Sequence, residues 1–406
     1  MFMNVLRVLR HPDLRAIMPA MLVSALGDGM SMVAVAWLAV QIAPSGRAGV
    51  WTGLAVAAYA LPATVGAAAL SRLVRRLPAL RLVAADASLR AVALGIIALL
   101  AVAGLLNPIL YVVLLAVSSL LHAWGSAGAY TLIAESLPDE DRVAGNAILS
   151  TFTQAAIVVG PALAGGVTAL TGPGWVIGAD AASFAFLALT VWRRKPAVAP
   201  VPEATTTGGW RTISGQPRLL GLLIVTCVFF FLYGPVEVAL PVHVADEMHG
   251  SAGLLGLYWT VFGAGATLGA LGAGMLRRFS PWLVVVVIVV GWGVALLPLG
   301  LTGPVVPGLV GFAVGGLIYG PFTAICTTLF QQLSPPHARS RVLAARNALT
   351  IPSTALGSLL GGPLVAGVGG RNTLLLSALT TIALGVTVAG ALGLAFSGRA
   401  VVRAEG

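Results

Sequence analysis

Residues Trp51 to Pro78 read WTGLAVAAYALPATVGAAALSRLVRRLP, and residues Leu254 to Pro281 read LLGLYWTVFGAGATLGALGAGMLRRFSP. Set against each other without a gap, at an offset of 203 residues in a chain of 406, they share nine identities: Gly53/Gly256, Leu54/Leu257, Ala63/Ala266, Thr64/Thr267, Gly66/Gly269, Ala67/Ala270, Leu73/Leu276, Arg75/Arg278 and Pro78/Pro281. Each copy is about twenty apolar residues running into an arginine cluster, the pattern of a membrane span followed by its water-side anchor. The offset is half the chain. The sequence is read as two similar membrane halves joined in the middle.

Composition agrees. Hydrophobic residues make up 58% of the chain and charged residues 9%, where a soluble globule carries roughly a quarter charged residues. The chain is an integral membrane protein on this ground, with the lipid bilayer as a partner. Its net charge of +10 does not point to nucleic acid, because the cations sit in short clusters between apolar runs rather than along one face. Lysine occurs once, at Lys195, and arginine supplies the remaining positive charge; with the abundant Ala and Gly this suggests a GC-rich bacterial genome. Cys227 and Cys326 lie inside apolar runs without CxxC spacing and are read as small hydrophobes. The first apolar run is of span length and has no convincing small-residue cleavage site, so no cleavable signal peptide is expected.

Twelve apolar runs of span length follow one another, at 16–41, 49–70, 82–105, 109–133, 143–170, 175–192, 219–243, 252–276, 282–302, 305–330, 342–368 and 373–396. The expected fold is therefore an all-α integral membrane protein of twelve transmembrane helices in two pseudo-symmetric six-helix bundles. Residues 1–192 would form the first bundle, 193–218 a flexible linker rich in Pro, Thr and Gly, and 219–406 the second bundle with a short tail. Arginines at 7, 10, 15, 72, 75, 76, 81, 142, 193, 194, 211, 218, 277, 278, 339, 341, 346, 399 and 403 fall on one side, and only Arg47 and Arg371 on the other. That asymmetry puts both termini in the cytoplasm of a bacterial inner membrane. A second repeat supports the first: Asn146-Ala147 precedes Gly160-Pro161 by fourteen residues, and Asn347-Ala348 precedes Gly361-Gly362 by the same interval. Two six-span halves of parallel topology are an architecture of secondary transporters.

Several segments resemble the major facilitator superfamily, and within it the efflux branch that holds macrolide exporters and the enterobactin exporter. Ser24-Ala25-Leu26-Gly27-Asp28-Gly29-Met30 looks like that branch's S-x-x-G-D start, and Asp86 to Arg90 is similar to its D-x-x-x-R element. Leu137-Pro138 through Arg142, then Asn146-Ala147, resembles its fourth-to-fifth connection. Arg72, Arg75 and Arg76 stand where the superfamily's cytoplasmic motif has basic residues, but Ser71 takes the place of its Asp; the second copy keeps Gly272, Arg277 and Arg278 with Leu276 at that position. Gly160, Pro161, Gly165 and Gly166 resemble the helix-bending antiporter motif, with Ala164 where a glycine is expected. The resemblance implies a secondary exporter working by alternating access as a monomer, exchanging protons for a small-molecule substrate, without cofactor or enzymatic activity. A siderophore, natural-product or lysophospholipid exporter is the alternative within the class, uptake by symport a further one, and a non-transporting membrane receptor or assembly factor the alternative outside it.

Asp28, about eleven residues into a helix rising 1.5 Å per residue, reaches mid-bilayer. An ionised carboxylate there is costly unless paired or wet, so it is the leading candidate for proton coupling or for binding a cationic substrate. Glu237, between Pro235 and Pro241 in span seven, is the second. Asp86 and Arg90 are four apart on one helix face and are expected to pair, as structure or as a gate; Arg90 would become a ligand if the substrate were anionic. Arg72, Arg75, Arg76 and Arg278 are expected to brace one transport state. Asp180 and Glu135 are read as interfacial, and His122 as hydrogen-bonded packing. Tyr59, His122, Trp124, Gln154, Tyr233, Trp259, Phe262 and Tyr319 are the candidates for an aromatic, sparsely polar cavity. The glycines from Gly263 to Gly274 lie inside an apolar run with no preceding strand and do not form a dinucleotide site. No GxxxxGK[ST], metal-ligand cluster or catalytic-triad spacing occurs, so any work draws on an ion or solute gradient.

Overall fold

The computed structural model describes residues 7–12, 14–70, 77–194, 209–301 and 303–404. Among the described residues the secondary structure is helical, and twelve spans are long and apolar enough to cross a membrane. They are α1 (Ile17–Ile42), α2 (Ala48–Ala67), α3 (Ala79–Val102), α4 (Pro108–Ser136), α5 (Asp139–Thr171), α6 (Pro173–Trp192), α7 (Pro217–Glu247), α8 (Ala252–Leu276), α9 (Pro281–Leu301), α10 (Val305–Leu333), α11 (Pro336–Val368) and α12 (Gly370–Gly393). In lipid every backbone polar group must find its partner within the segment, which is why such runs become helices. The twelve apolar runs read from sequence are these twelve. At 33 residues and 1.5 Å per residue, α5 is about 50 Å long and outruns the bilayer core.

The chain divides into two compact units, residues 1–203 with 241–260, and residues 204–240 with 261–406. In the first unit α1 packs on α5 and α6, α3 on α4 and α6, and α2 on α4. In the second, α9 packs on α10 and α12, and α11 on α10 and α12. The repeated segments do the same task in each. Gly66 lets α2 approach the backbone of α4 at Leu120, and Gly269 lets α8 approach α10 at Leu317; a Cβ at either glycine would run into a carbonyl oxygen. Both partner spans are broken near their middle, α4 between Pro108–Ser119 and His122–Ser136, α10 between Val305–Tyr319 and Phe322–Leu333. The second repeat behaves likewise, with Gly160 against Gly29 of α1 and Gly361 against Pro235 of α7.

Three local features go beyond the sequence reading. The stretch read as a wholly flexible linker contains a helix, Gly209–Ser214, with Ile213 buried and Gly209 seated on the backbone of Arg341; residues 195–208 lie outside the described residues. Arg371, one of two cations on the arginine-poor side, caps a neighbouring helix end: its Nε donates to Gly300 O at 2.8 Å and its Nη2 to Leu301 O at 2.9 Å. And α7 finishes in a π-turn, His243–Glu247, in which His243 Nδ1 lies 2.9 Å from Glu247 Oε2.

Three of the cavity candidates, Tyr233, Phe262 and Tyr319, belong to a packed aromatic core. Their rings surround Trp292 at centroid distances of 5.8, 5.4 and 5.8 Å, and Phe312 lies 5.2 Å from Phe262. The sequence could show large rings at span positions but not which way they face; here they pack against one another around Trp292. Trp292→Ala is expected to cost about 3–5 kcal/mol, the usual penalty for emptying a buried aromatic site. Thermal unfolding of the purified protein measures it, and an unchanged midpoint contradicts the packing role.

Candidate functional site

The site begins with three consecutive residues of α1. Successive helical side chains point about 100° apart, so Gly27, Asp28 and Gly29 face three ways. Gly27 lies against Asp180 and Ser183 of α6, and Gly29 against the backbone of Ala156 in α5. Neither position has space for a Cβ. These two glycines wedge α1 between α5 and α6, and the remaining direction carries Asp28 toward α2 and α3.

There Asp28 Oδ1 accepts a hydrogen bond from Arg90 Nη1 at 2.9 Å and another from the Tyr59 hydroxyl. Arg90 is 1% exposed, while the Asp28 side chain remains 33% exposed. The guanidinium sits 4.7 Å from the Phe184 ring centroid and 5.2 Å from that of Tyr59, an arrangement in which the ring faces and the carboxylate share one cation. The sequence reading paired Arg90 with Asp86, four residues earlier on the same helix. The structure gives Arg90 to Asp28 instead. Helical spacing puts Asp86 on the same face as Arg90 but does not require the two to bond.

Asp86 is left to α4. Its Oδ2 lies 3.8 Å from His122 Nδ1, and its buried Oδ1 has no hydrogen-bond partner among the described residues. His122, read as packing, is 42% exposed at the side chain and faces a carboxylate. Asp180, read as interfacial, is 0% exposed: it accepts hydrogen bonds from Ser31 and Ser183, level with Asp28 on α1. Sequence reading puts this acid at the interface, and the structure buries it. The available signal was the hydroxyl pattern around it, Ser183 three residues on and Ser31 three residues past Asp28, which supplies donors to a buried acid.

Asp28, Asp86, Arg90 and His122 open on a cavity of about 200 Å³, walled further by Ser24, Phe152, Thr153 and Phe184. All of it lies within the first unit, bounded by α1, α3, α4, α5 and α6. Three carboxylates therefore surround one arginine and one histidine. Ionised together, these acids would outnumber the fixed positive charge, and burial makes such an excess expensive.

Other candidates stand elsewhere. Trp124 Nε1 donates to Gly66 O at 3.2 Å and so braces α4 on α2. Gln154 is exposed and does not line the cavity. Trp259 is buried. Glu135 is half-buried at the C-terminal end of α4. Glu237, in the second unit, accepts a hydrogen bond from Ser358 at 3.0 Å, one turn from Tyr233. Arg278 is exposed, its guanidinium 4.8 Å from the Phe279 ring centroid. Arg72, Arg75 and Arg76, with Ser71, lie outside the described residues. Pro161 is carried inside α5, next to the Gly160–Gly29 contact.

Comparison with known proteins bears on the whole chain. The family profile described as Major Facilitator Superfamily matches residues 17–347 and 222–399. The multidrug efflux pump Tap of Mycobacterium tuberculosis is 29% identical over 387 residues, covering 90% of each protein. The enterobactin exporter EntS of Shigella flexneri is 26% identical over 246 residues, 59% of this chain and 57% of its own. Among solved structures, the nucleoside transporter NupG superposes with a TM-score of 0.76 over 93% of this chain and 98% of that one; at 13% identity this is a likeness of fold.

Proposed function

The chain belongs to the Major Facilitator Superfamily, and from that premise we propose that this membrane transporter is a secondary exporter of lipophilic cations that returns protons in exchange. The observation that carries the reading is the charge balance of the first unit. Asp28, Asp86 and Asp180 are set about Arg90, and the wall of the cavity also carries His122 and Tyr130. With these acids ionised such a site is short of positive charge, and the shortfall can be made good by a proton or by a cationic substrate. Mutual exclusion of the two at one acidic site is what antiport requires. Asp28 is the competent member, since it alone combines exposure to the cavity with direct contact to the buried arginine.

Export as the direction draws on the relatives named for efflux and export. An anionic substrate fits less well, because Arg90 is already committed to Asp28 and is closed off from solvent. The proposal includes two six-span halves joined through residues 193–218, both termini on the cytoplasmic side, alternating access and function as a monomer. Glu237 would assist from the second half, and Arg278 with the loop arginines would brace one state.

The test is flux in proteoliposomes under an imposed pH gradient, with matched cationic and anionic lipophilic dyes. Cationic dye is expected to move against its gradient only while the proton gradient lasts, and a protonophore should stop it. Equal flux of the anionic dye, or flux indifferent to the proton gradient, would overturn the assignment.

A further inference from the structure

The second unit holds a buried cation that nothing above uses. Arg346, in the second turn of the helix Arg339–Val368, is 5% exposed. Its Nη1 donates to Thr327 Oγ1 of α10 at 2.8 Å, and its guanidinium lies 5.4 Å from the Phe330 ring centroid. Its Nε is buried without a hydrogen-bond partner. No carboxylate pairs with it among the described residues; its ionisable neighbours are the thiols of Cys227 and Cys326.

The contrast with Arg90 is direct. Both are buried arginines reached by an aromatic ring, but Arg90 has Asp28 and Arg346 has no acid. Nor do the described residues of the second unit supply one nearby. Its acidic residue among those described is Glu237, nineteen residues beyond Arg218 along α7 and bonded to Ser358. Arg211, Arg218, Arg278, Arg339 and Arg341 share the arginine-rich end with Arg346. The exposed members of that group can be solvated from outside the fold. Arg346 is not, and a buried guanidinium without a counter-charge calls for an anion from outside the fold.

We propose that Arg346 is an anion-binding residue, its unpartnered Nε and the adjoining Nη2 taking a phosphate group in bidentate fashion while Thr327 holds Nη1. The planar fork matches two phosphate oxygens, and the ring of Phe330 fixes the plane in which it presents them. Two sources offer that chemistry at the membrane edge: the headgroup of an anionic phospholipid, or a free phosphate ion from the aqueous side. The site is independent of the transported solute and of the carboxylate cluster in the first unit.

The full-length protein in neutral detergent is titrated with short-chain phosphatidylglycerol, with phosphatidylcholine of the same chain length, and with inorganic phosphate, and its thermal unfolding is followed. Saturable stabilisation of the wild type by phosphatidylglycerol but not phosphatidylcholine is expected, with Arg346→Gln weakening the apparent affinity by about tenfold or more and the exposed control Arg339→Gln on the same helix leaving it unchanged. A matching response to inorganic phosphate assigns the site to the free ion; a response to phosphatidylglycerol alone assigns it to lipid. Absence of saturable stabilisation by either anion in the wild type overturns the proposal without recourse to any variant. So does an Arg346→Gln protein that binds as the wild type does. If Arg346→Gln cannot be purified, Thr327→Val, which keeps the charge but frees the fork, is expected to weaken binding, and unchanged affinity there counts against the site.

Discussion

Asp28→Asn is expected to reduce gradient-driven efflux to background while the protein still inserts and folds. The amide keeps an oxygen that can accept from Arg90 Nη1 and from the Tyr59 hydroxyl, so both hydrogen bonds at that atom have a substitute. What it cannot do is bind and release a proton, or offer a full negative charge to a cation in the cavity. The loss of the charge-assisted component at Arg90 should cost about 1–3 kcal/mol of stability, small beside the loss of function. The two effects are read separately, by flux in vesicles and by thermal unfolding in detergent. Transport by the Asn variant at wild-type rate would remove Asp28 from the mechanism. A variant that fails to insert at all would instead make Asp28 a folding residue.

Arg90→Met should produce the largest fall in stability of any single change in the first unit. Methionine fills much of the same volume between Phe184 and Tyr59 but leaves Asp28, Asp86 and Asp180 without their buried cation. Breaking a buried ion pair from one side costs about 3–5 kcal/mol, because the surviving charge is left in a medium that cannot solvate it. The double variant Arg90→Met with Asp28→Asn removes both charges and should recover most of that loss, without recovering transport. Double-mutant analysis of the unfolding midpoints gives the coupling directly. If the double variant is as unstable as the single one, the pair contributes through shape rather than charge.

The sequence made much of this legible and misread particular points for identifiable reasons. Asp28 and Arg90 were both found because a charge inside an apolar run is visible in one dimension. Their mutual contact was not, since the residues lie 62 positions apart and the nearer candidate, Asp86, satisfied the helical spacing. Asp180 looked interfacial because distance from a span's end is a poor guide to burial; the serines that satisfy it come partly from another helix. Tyr233, Phe262 and Tyr319 looked like cavity lining because an aromatic in a span has two plausible fates, and only the facing helices choose between them. Arg346 counts in the sequence only as one of the arginines of one membrane side; that it turns inward onto Thr327 and Phe330 is visible only in the fold.

Hydropathy, arginine placement and the repeat at half-length are properties of the chain read in order. They determined membrane residence, twelve crossings and the duplication, because a backbone in lipid has no alternative to satisfying itself segment by segment. The partner of each buried charge is a property of helix packing. It was decided by where glycines allow backbones to close: Gly27 and Gly29 press α1 onto α6 and α5, and that contact turns Asp28 to Arg90 and leaves Asp86 to His122.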